Sequence, residues 1–498
     1  MFMKKFFVST GLAAISIAGL QSLSAEGLDI VSPKAWTIGG TLRGFYDDNY
    51  NIAEANKGSF GVEVSPSISL NVPLQQTSLG FRYYYTLYYY NDRDSLHLNP
   101  FDQSHQFEVW MDHAFNPNWK LRFTDHLVLG QEPDLFKPPA GGGQGPINYR
   151  INGNNLQNIA SITLDTQWTR NFSTTLSYAN NYSDYDNQGA SVITSPLLSP
   201  PSGLALGSAL SIPVSSFSGA GSVPDWSAFN NGGASLSGLL DRVEHNISLD
   251  FNWTFSPETK IFAGYSFSQV NYLGNEPIGI YNYVSGFNPN LPPPPYTLGD
   301  LFTGSYDPQN PRSFIYTSSM RDSRSHNGHV GFSHQLTANI SVALSAGVSY
   351  NDSYNSPIQH TTSISPSANA SISYTYIPGS YVQFGITQGE NATDVVQPGA
   401  DGSLTQYQHS TSVYADLNHR ITEKLLGTLI CRYVYSSFEG GAANTQTESD
   451  YSIGVNLSYQ ISRHFSADAG YNFDDLITPL NGRGFIRNRV YLGLSASY

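Results

Sequence analysis

The sequence predicts an all-β protein, a transmembrane antiparallel up-and-down β-barrel of about 18 strands, and three observations predict it. Many segments alternate apolar with small or polar residues, which is the period of a β-strand that has one apolar face. Only 12% of the residues are charged, while 13% are aromatic. The last residues, Val490 to Tyr498, keep the alternation, so we expect the final strand to close a ring.

Composition excludes several other classes of protein. A mean hydropathy of -0.27 excludes a bundle of transmembrane helices, whereas abundant Tyr, Gly and Ser suit a barrel with a lipid-facing outside and a polar lumen. The formal net charge of -14 gives no indication of a nucleic-acid partner. The single cysteine, Cys431, excludes an internal disulfide.

The first 25 residues have the pattern of a secretory signal peptide. Lys4 and Lys5 precede a short apolar run, Phe6 to Leu20, and small residues follow at Ser24 and Ala25. We therefore expect residues 1–25 to be cleaved and residues 26–498 to form the barrel. The expected location is the cell outer membrane, because no later apolar run could hold the protein in an inner membrane.

Strands are assigned in chain order from the alternation. The first runs from Trp36 to Tyr50. The second, Phe60 to Val72, turns at Pro73 to Gln76 into a third, Leu79 to Tyr89, so that this pair is a hairpin. The pattern is weaker in the strands predicted at 104–115, 322–336 and 360–376.

Seven further short turns mark seven further hairpins. They lie near Asn116-Pro117, Arg170-Asn171, Ser256-Pro257, Thr337-Ala338, Pro378-Gly379, Arg420-Ile421-Thr422 and Ser462-Arg463. Eight hairpins with a lone first and a lone last strand give 18 strands, and a different assignment of one hairpin would give 16 or 20. An even number fits a closed antiparallel barrel, and about 16 to 18 strands leave room for a water-filled lumen.

Two connections are much longer than the others, at 184–240 and 274–321. Both are predicted to be irregular extracellular loops, since the first is rich in Ser, Gly and Pro and the second contains Pro292 to Pro295. They are interpreted either as lid-like loops without a ligand or as a folded cap or inward constriction. Residues 132–153 are a third candidate for an inward loop.

The face opposite the apolar one is predicted to line the pore. Its charged members are Arg43, Arg82, Glu108, Asp112, Arg122, Asp165, Glu244, Asp250, Asp416, Arg432, Asp468 and Arg489. Basic residues favour the first, last and early strands, and acids favour the middle. These charges either create a transverse field across the lumen or pair between strands and keep the interior wet. The aromatic residues of the same face either stack on sugars or fill the wall: Tyr84, Trp110, Tyr414 and Tyr491.

Three other features are candidate sites. Asp47-Asp48-Asn49 with Asp92 and Asp94 could bind a divalent cation, or could be ordinary solvated acids. His326, His329 and His334 invite a metal hypothesis, but in a strand His326 and His329 fall on opposite faces. Tyr498 is expected to act as a C-terminal assembly signal.

No enzyme and no cofactor are expected. The sequence contains no GxSxG, no HExxH and no phosphate-binding glycine loop. A triad assembled from separate strands would leave no linear motif, so an enzyme stays an alternative.

The chain also resembles a known family. Gly44 to Asn49, Val64 to Ile68, Phe101 to His105 and Gln131 to Pro133 resemble the putative β-barrel porin family 2 proteins of bacterial outer membranes. The resemblance implies an outer-membrane channel, and for some members exopolysaccharide export with periplasmic partner proteins. It brings no catalytic residues.

Together these patterns predict a porin-like channel that passes polar solutes through a charged, loop-constricted lumen. An exopolysaccharide export barrel working with periplasmic partners is the first alternative, and a surface adhesin or structural barrel is the second. The expected partners are the lipid bilayer of the outer membrane and the outer-membrane assembly machinery. A periplasmic export partner and a homo-oligomer remain open.

Overall fold

The structure, a computed structural model, describes residues 35–52, 54, 56–95, 99–130, 155–185, 236–282, 313–355, 361–396, 403–480 and 483–498. The predicted signal peptide, the candidate inward loop at 132–153 and most of the two long connections lie outside these residues. Within the described residues, 18 strands form one closed antiparallel sheet. The predicted fold class is therefore confirmed.

Each strand of the barrel wall pairs with the wall strands that precede and follow it in the chain, and the first pairs with the last. The wall consists of β1 (Trp36–Asp47), β2 (Ser59–Pro73), β3 (Thr77–Tyr90), β4 (Phe101–Asn116), β5 (Trp119–Gly130), β6 (Asn155–Gln167), β7 (Phe172–Tyr185), β8 (Arg242–Ser256), β9 (Thr259–Tyr272), β12 (Ser323–Thr337), β13 (Ile340–Ser353), β14 (Thr361–Ile377), β15 (Ser380–Ala392), β16 (Tyr407–Arg420), β17 (Leu425–Glu439), β18 (Thr447–Gln460), β19 (Phe465–Ile477) and β20 (Phe485–Ser497). A separate two-stranded sheet contains β10 (Pro277–Asn282) and β11 (Ser313–Thr317). The eight predicted short turns all join neighbouring strands of the wall.

The ring closes between the first and the last strand. β1 pairs with β20 from Gly39 opposite Ser497 to Asp47 opposite Arg489. Beyond this ladder, the Ile38 amide donates to the carbonyl of Tyr498 at 3.1 Å, and the Tyr498 amide donates to the carbonyl of Ile38 at 2.8 Å. No sheet edge remains unpaired at this junction, as closure requires.

The first strand ends earlier than its sequence pattern predicts, at Asp47 rather than Tyr50. The Asp47 carboxylate accepts a hydrogen bond from the Asn49 amide at 3.0 Å, which is an Asx turn and bends the chain away from β2. The three weakly patterned strands are all present, as β4, β12 and β14.

The apolar face of the strands lies on the outside of the barrel. Leu492 is 69% exposed and Val330 is 62% exposed, and large apolar side chains are exposed on strands all around the ring. A water-soluble protein rarely exposes so large an apolar surface, whereas the hydrocarbon of a bilayer covers it without cost. No helix in the described part of the chain is long and apolar enough to cross a membrane.

The buried apolar side chains concentrate at one end of the barrel, opposite the eight short turns. We call this end the outer mouth, because long connections face the cell exterior in such barrels. The buried residues there include Tyr90, Tyr185, Tyr272, Phe438, Leu476 and Phe485. Two short helices also lie at this end, α1 (Asn91–Ser95) and α2 (Leu236–Leu240).

The second long connection, 274–321, is predicted to be irregular, but its two ends form regular secondary structure. β10 pairs with β11 in an antiparallel hairpin, and the 3₁₀ turn Ser318–Arg321 leads from β11 to β12. Ile278 and Tyr316 are both buried, so the base of this connection packs as a folded element. Local sequence pattern missed it because the two strands are short and far apart in the chain.

Glycines on one strand make room for aromatic rings on the next. Gly385 stands opposite Tyr414, and a Cβ at Gly385 would lie only 2.2 Å from Tyr414 Cζ. Gly80 and Trp110 form the same kind of pair, at 1.8 Å from Trp110 Cε2. The rings therefore lie flat over the glycines of the wall, which leaves the centre of the lumen free of them.

This packing predicts a large effect for Gly385→Val. The new side chain cannot coexist with the Tyr414 ring, so we expect the free energy of unfolding to fall by roughly 1–3 kcal/mol, as in other overpacked sites. Gly389→Val on the same strand is the matched control, because nothing lies within 4 Å of a Cβ there. Urea unfolding of both variants, followed by tryptophan fluorescence in detergent micelles, checks the prediction. Equal midpoints for the two variants would contradict it.

Candidate functional site

The inner face of the wall carries charged side chains that are mostly held in pairs. Arg43 on β1 donates to Asp468 on β19 at 2.7 Å and to Glu63 on β2 at 3.1 Å. Its side chain passes over Gly493 of β20, where a Cβ would lie 2.4 Å from Arg43 Cγ. These ion pairs connect the strands on both sides of the closing junction.

Other predicted pore-lining residues also have partners, which lie on the same strand, on the next strand or on the next but one. Arg82 contacts Glu108 at 3.2 Å, Arg122 contacts Asp112 at 2.9 Å, Arg242 contacts Glu244 at 2.6 Å, and His329 contacts Asp250 at 2.9 Å. Asp165 accepts a hydrogen bond from the Thr175 hydroxyl at 2.8 Å. Asp416 lies opposite Ile430, two residues from Arg432, on the same face of β16 and β17. The structure therefore favours pairing between strands over two opposed walls of unbalanced charge.

Arginines also lie against aromatic rings on one part of the inner face. The Arg489 guanidinium lies 4.4 Å from the centre of the Phe45 ring and 5.0 Å from that of Tyr88. Arg43 lies 5.1 Å from the ring of Tyr491, and Arg82 lies 5.7 Å from that of Trp110. We call these side chains on β20, β1, β3 and β4 the arginine–aromatic wall. Stacked guanidinium and ring faces are suited to hydroxylated or anionic solutes.

Tyr414 lies apart from this wall. Gln383 donates to its hydroxyl at 3.4 Å, and the ring covers Gly385 on the opposite strand. Tyr491 differs, because its ring faces Arg43 while its hydroxyl donates to Asn456 at 3.2 Å. Tyr84 lies 5.8 Å from the Arg82 guanidinium, so it joins Trp110 and Tyr491 in the arginine–aromatic wall, whereas Tyr414 has a separate position on β16.

At the outer mouth, Arg483 joins two connections and a strand. It donates two hydrogen bonds to Asp394, at 2.8 and 2.9 Å, and two to Glu448, at 2.7 and 3.3 Å. Arg483 belongs to the β19–β20 connection, Asp394 to the β15–β16 connection, and Glu448 to β18. The Glu448 side chain is 1% exposed, so this guanidinium neutralises a fully buried carboxylate.

Arg321 holds the same β15–β16 connection from the other side. It donates to the carbonyl of Thr393, and to that of Leu239 at 3.1 Å, and its guanidinium lies 4.2 Å from the Tyr272 ring centre. Strands β12 to β15 lie between Arg321 and Thr393 along the chain. Strands β16 to β19 lie between Asp394 and Arg483. The β15–β16 connection is therefore fixed to residues that lie four strands away on either side of it.

An apolar cluster packs beneath these polar contacts. Val395, Phe438, Ala443 and Leu480 are buried against one another. They come from three connections and the end of β17, and none belongs to a local sequence pattern that indicated burial. We call the Arg483, Arg321 and Asp394 contacts, together with this cluster, the mouth clamp.

The base of the second long connection is fixed at Asp322. Its carboxylate accepts a hydrogen bond from the Tyr272 amide at 2.8 Å, and Asn271 and Asn355 donate to it at 3.4 Å. Burial raises the pKa of the Asp322 carboxyl above its ordinary value. The residue is therefore part of the folded mouth and not a solvated loop acid.

The contacts of Asp47 to Asn49 and of the three His residues do not favour the two cation hypotheses. The Asp47 carboxylate is bound by Arg487, Asp48 accepts from the Asn488 amide at 2.6 Å, and the Asn49 side chain donates to the Ile486 carbonyl at 2.9 Å. The hypothesised site at 47–49 is thus occupied by the last strand. His326, His329 and His334 have separate partners in Tyr265, Asp250 and Thr259. They do not share a site.

Tyr498 lies at the short-turn end of the barrel. Its ring centre is 6.2 Å from that of Trp36 and 5.6 Å from that of His464. Its role as an assembly signal stays a prediction.

The mouth clamp could not be predicted from the sequence, because Arg321, Asp394 and Arg483 lie in connections that have no periodic pattern.

Comparison with protein families gives one match. The family model described as putative beta-barrel porin 2 matches residues 295–498, a range that contains β11 to β20. The segments that carry the resemblance in the sequence analysis all lie within the first 133 residues, outside the matched range. The resemblance to this family is confirmed, but the later part of the chain carries it.

Solved structures give only weak likenesses. A ferric enterobactin receptor mutant from Pseudomonas aeruginosa has 12% identity and a TM-score of 0.39, covering 93% of this chain and 81% of that one. Acinetobacter baumannii OccAB4 has 11% identity and a TM-score of 0.38, covering 93% and 99%. The outer membrane protein opdK from Pseudomonas aeruginosa has 9% identity and a TM-score of 0.40, with the same coverage. A search of curated protein sequences finds no match. The architecture therefore rests on the strand pairing of this chain.

Proposed function

We propose that the chain is a channel that passes polar solutes through a constricted lumen. The chain forms a porin-like β-barrel of the outer-membrane type, and its residues 295–498 match the porin family model. A wall of 18 strands is too wide for its own side chains to fill. The observation that carries the proposal is the inner face, where ion pairs and arginine–aromatic contacts line the wall while apolar side chains face outward. The mouth clamp supplies the constriction.

The inner face supports passage of polar and not apolar solutes. Its guanidinium and carboxylate groups are held in place by partners, so a hydrated solute meets fixed hydrogen-bond donors and acceptors along the wall. Aromatic rings that lie flat over glycines add stacking faces without blocking the path. Hydroxyl-rich or weakly anionic molecules fit this surface best.

Single-channel recording in a planar bilayer tests the proposal directly. Steady conductance of the purified protein, together with swelling of liposomes in small sugars, is the expected result. A protein that conducts neither before nor after the mouth clamp is weakened would contradict it, and would leave the adhesin or structural alternative. No partner protein is required for either measurement.

Ion selectivity should respond to Arg82. Arg82→Gln removes a positive charge from the inner face and leaves Glu108 without its guanidinium partner. A unit charge about 10 Å from a permeating ion contributes roughly 0.4 kcal/mol in water, which is a factor of about two. Loss of the positive charge favours cations and disfavours anions by about this factor each, so we expect the cation-to-anion permeability ratio to rise about fourfold in a salt gradient, and more so at low ionic strength.

Lys424→Gln is the matched control for that measurement. Lys424 lies in the exposed β16–β17 turn, so its loss changes the net charge equally but leaves the inner face intact. An equal shift in both variants would show that the selectivity follows the overall charge of the protein. The arginine–aromatic wall would then have no particular role in permeation.

One observation favours polysaccharide export as the second candidate function. The arginine–aromatic wall runs over β20, β1, β3 and β4, so a sugar polymer could stack along it while a closed mouth prevents leakage. In that case the intact protein stays silent in the bilayer, and weakening the mouth clamp produces large steady conductance. Binding of acidic polysaccharide that Arg489→Gln weakens would further favour export.

A further inference from the structure

A His residue and two carboxylates meet at the outer ends of β15, β16 and β17. Glu390 lies directly opposite His409 in the β15–β16 register, and Glu439 lies diagonally across from His409 on β17. One ligand atom from each of the three lies within 4.8 Å of the other two. The cluster belongs neither to the arginine–aromatic wall nor to the mouth clamp.

The barrel wall opens beside this cluster. Pairing between β14 and β15 stops at Ala368 opposite Gln388, whereas β13 and β14 remain paired as far as Ser353 opposite Thr361. Glu390 falls beyond the last paired residue of its strand on that side. Its side chain reaches Asn351 on β13 and Ser363 on β14 and is only 1% exposed.

The two oxygens of Glu390 have different surroundings. Oε1 accepts hydrogen bonds from Asn351 Nδ2 at 2.5 Å and from the Ser363 hydroxyl at 2.8 Å. Among the described residues Oε2 has no hydrogen-bond partner, although it is fully buried, and it faces His409 Nδ1 at 3.6 Å. This buried carboxylate is fixed through one oxygen and unsatisfied at the other. Carboxylates that bind metal ions are oriented by neighbouring groups in the same way.

The other two members remain accessible to solution. The His409 side chain is 40% exposed and that of Glu439 is 44% exposed, and His409 Nε2 lies 2.9 Å from Glu439. Two carboxylates and one imidazole are a ligand set that divalent transition metals accept, with one position left for water. Alkaline-earth ions prefer all-oxygen sites, so the imidazole selects against them.

We infer that Glu390, His409 and Glu439 form a binding site for a divalent transition-metal ion such as Zn²⁺ at the outer rim of the barrel. The ion links three neighbouring strands at the place where β14 and β15 separate. A positive charge there also neutralises the buried Glu390 carboxylate. The site faces the external solution, so it fills without passage of the ion through the lumen.

Zinc titration of tag-free full-length protein in detergent micelles tests this inference. With a chromophoric chelator as competitor, we expect one Zn²⁺ per chain, and excess Ca²⁺ or Mg²⁺ should not displace it. Glu390→Gln keeps the shape of the side chain, and the exposed His409→Ala and Glu439→Gln should not affect folding. Each should weaken Zn²⁺ binding by more than about tenfold, since loss of a supporting group alone costs that much.

Two further variants make the test specific. Ser363→Ala should weaken binding less than Glu390→Gln, because it removes only a hydrogen bond to Glu390. Glu423→Gln, in the exposed β16–β17 turn, should change nothing. Absence of stoichiometric binding, or equal binding in wild type and His409→Ala, would overturn the inference. The three side chains would then serve only to hold the strand ends together. Either result is independent of whether the barrel conducts.

Discussion

Arg483→Ala should open the outer mouth. The substitution leaves the carboxylates of Asp394 and Glu448 buried without the guanidinium that neutralises both. Breaking such a pair costs roughly 3 kcal/mol or more. If the substitution destabilises only the closed state of the mouth by this amount, the ratio of open to closed molecules rises by a factor on the order of 100. We expect larger and longer open-channel currents in a planar bilayer.

A labelling experiment measures the same opening without relying on conductance. Cys431 is the only cysteine, so a Cys431→Ala background allows Val395→Cys to report on the buried cluster of the mouth clamp. A membrane-impermeant maleimide should react slowly at position 395, and much faster when Arg483→Ala is added. Arg463→Ala, in the exposed β18–β19 turn at the opposite end, is the matched control. Unchanged labelling and unchanged current in the Arg483 variant would refute a role for the clamp.

Arg487→Ala should cause the largest loss of stability in the described part of the barrel. Arg487 and Asp47 are both 0% exposed, and Arg487 Nε lies 2.9 Å from Asp47 Oδ2. Their pairing joins the last strand to the first at the outer end of the closing junction. Removing one member leaves a buried, unpaired charge, which costs roughly 3–5 kcal/mol.

Urea unfolding in micelles and the heat-dependent mobility of the barrel in electrophoresis check this value. Arg122→Ala is the matched control, because the Arg122 side chain in the ion pair with Asp112 is 55% exposed and such pairs contribute about 0–1 kcal/mol. The double variant Asp47→Ala with Arg487→Ala should lose less than the sum of the two single variants. Equal losses for Arg487→Ala and Arg122→Ala would show that the junction does not depend on the buried pair.

The strands and turns could be predicted because their information is local. A residue such as Leu492 in the apolar set and its neighbour Gly493 in the other set already show which face meets lipid. The short turns between such segments then fix the number of strands, and the closed sheet has the 18 strands that this reasoning gave. Tyr50 was misplaced because an Asx turn at Asp47 overrides the alternation.

The pairing of the inner charges could be predicted only as one of two alternatives. The period of two places Arg43 on the inner face but does not say which acid it meets. Its partner Asp468 is 425 residues away and lies on a strand two positions along the ring. Partner choice depends on register across the closing junction, and that register is set by the whole sheet.

The sequence alone predicted the membrane barrel, a count of about 18 strands and the polar character of its inner face, because each follows from a two-residue period repeated along the chain. Tertiary structure alone decided the mouth clamp, the buried Asp47–Arg487 pair and the cluster around Glu390. These groups come from connections and strand ends that have no periodic pattern. Closure of the ring brings them together, and their energies depend on burial and partners that no local stretch of sequence contains.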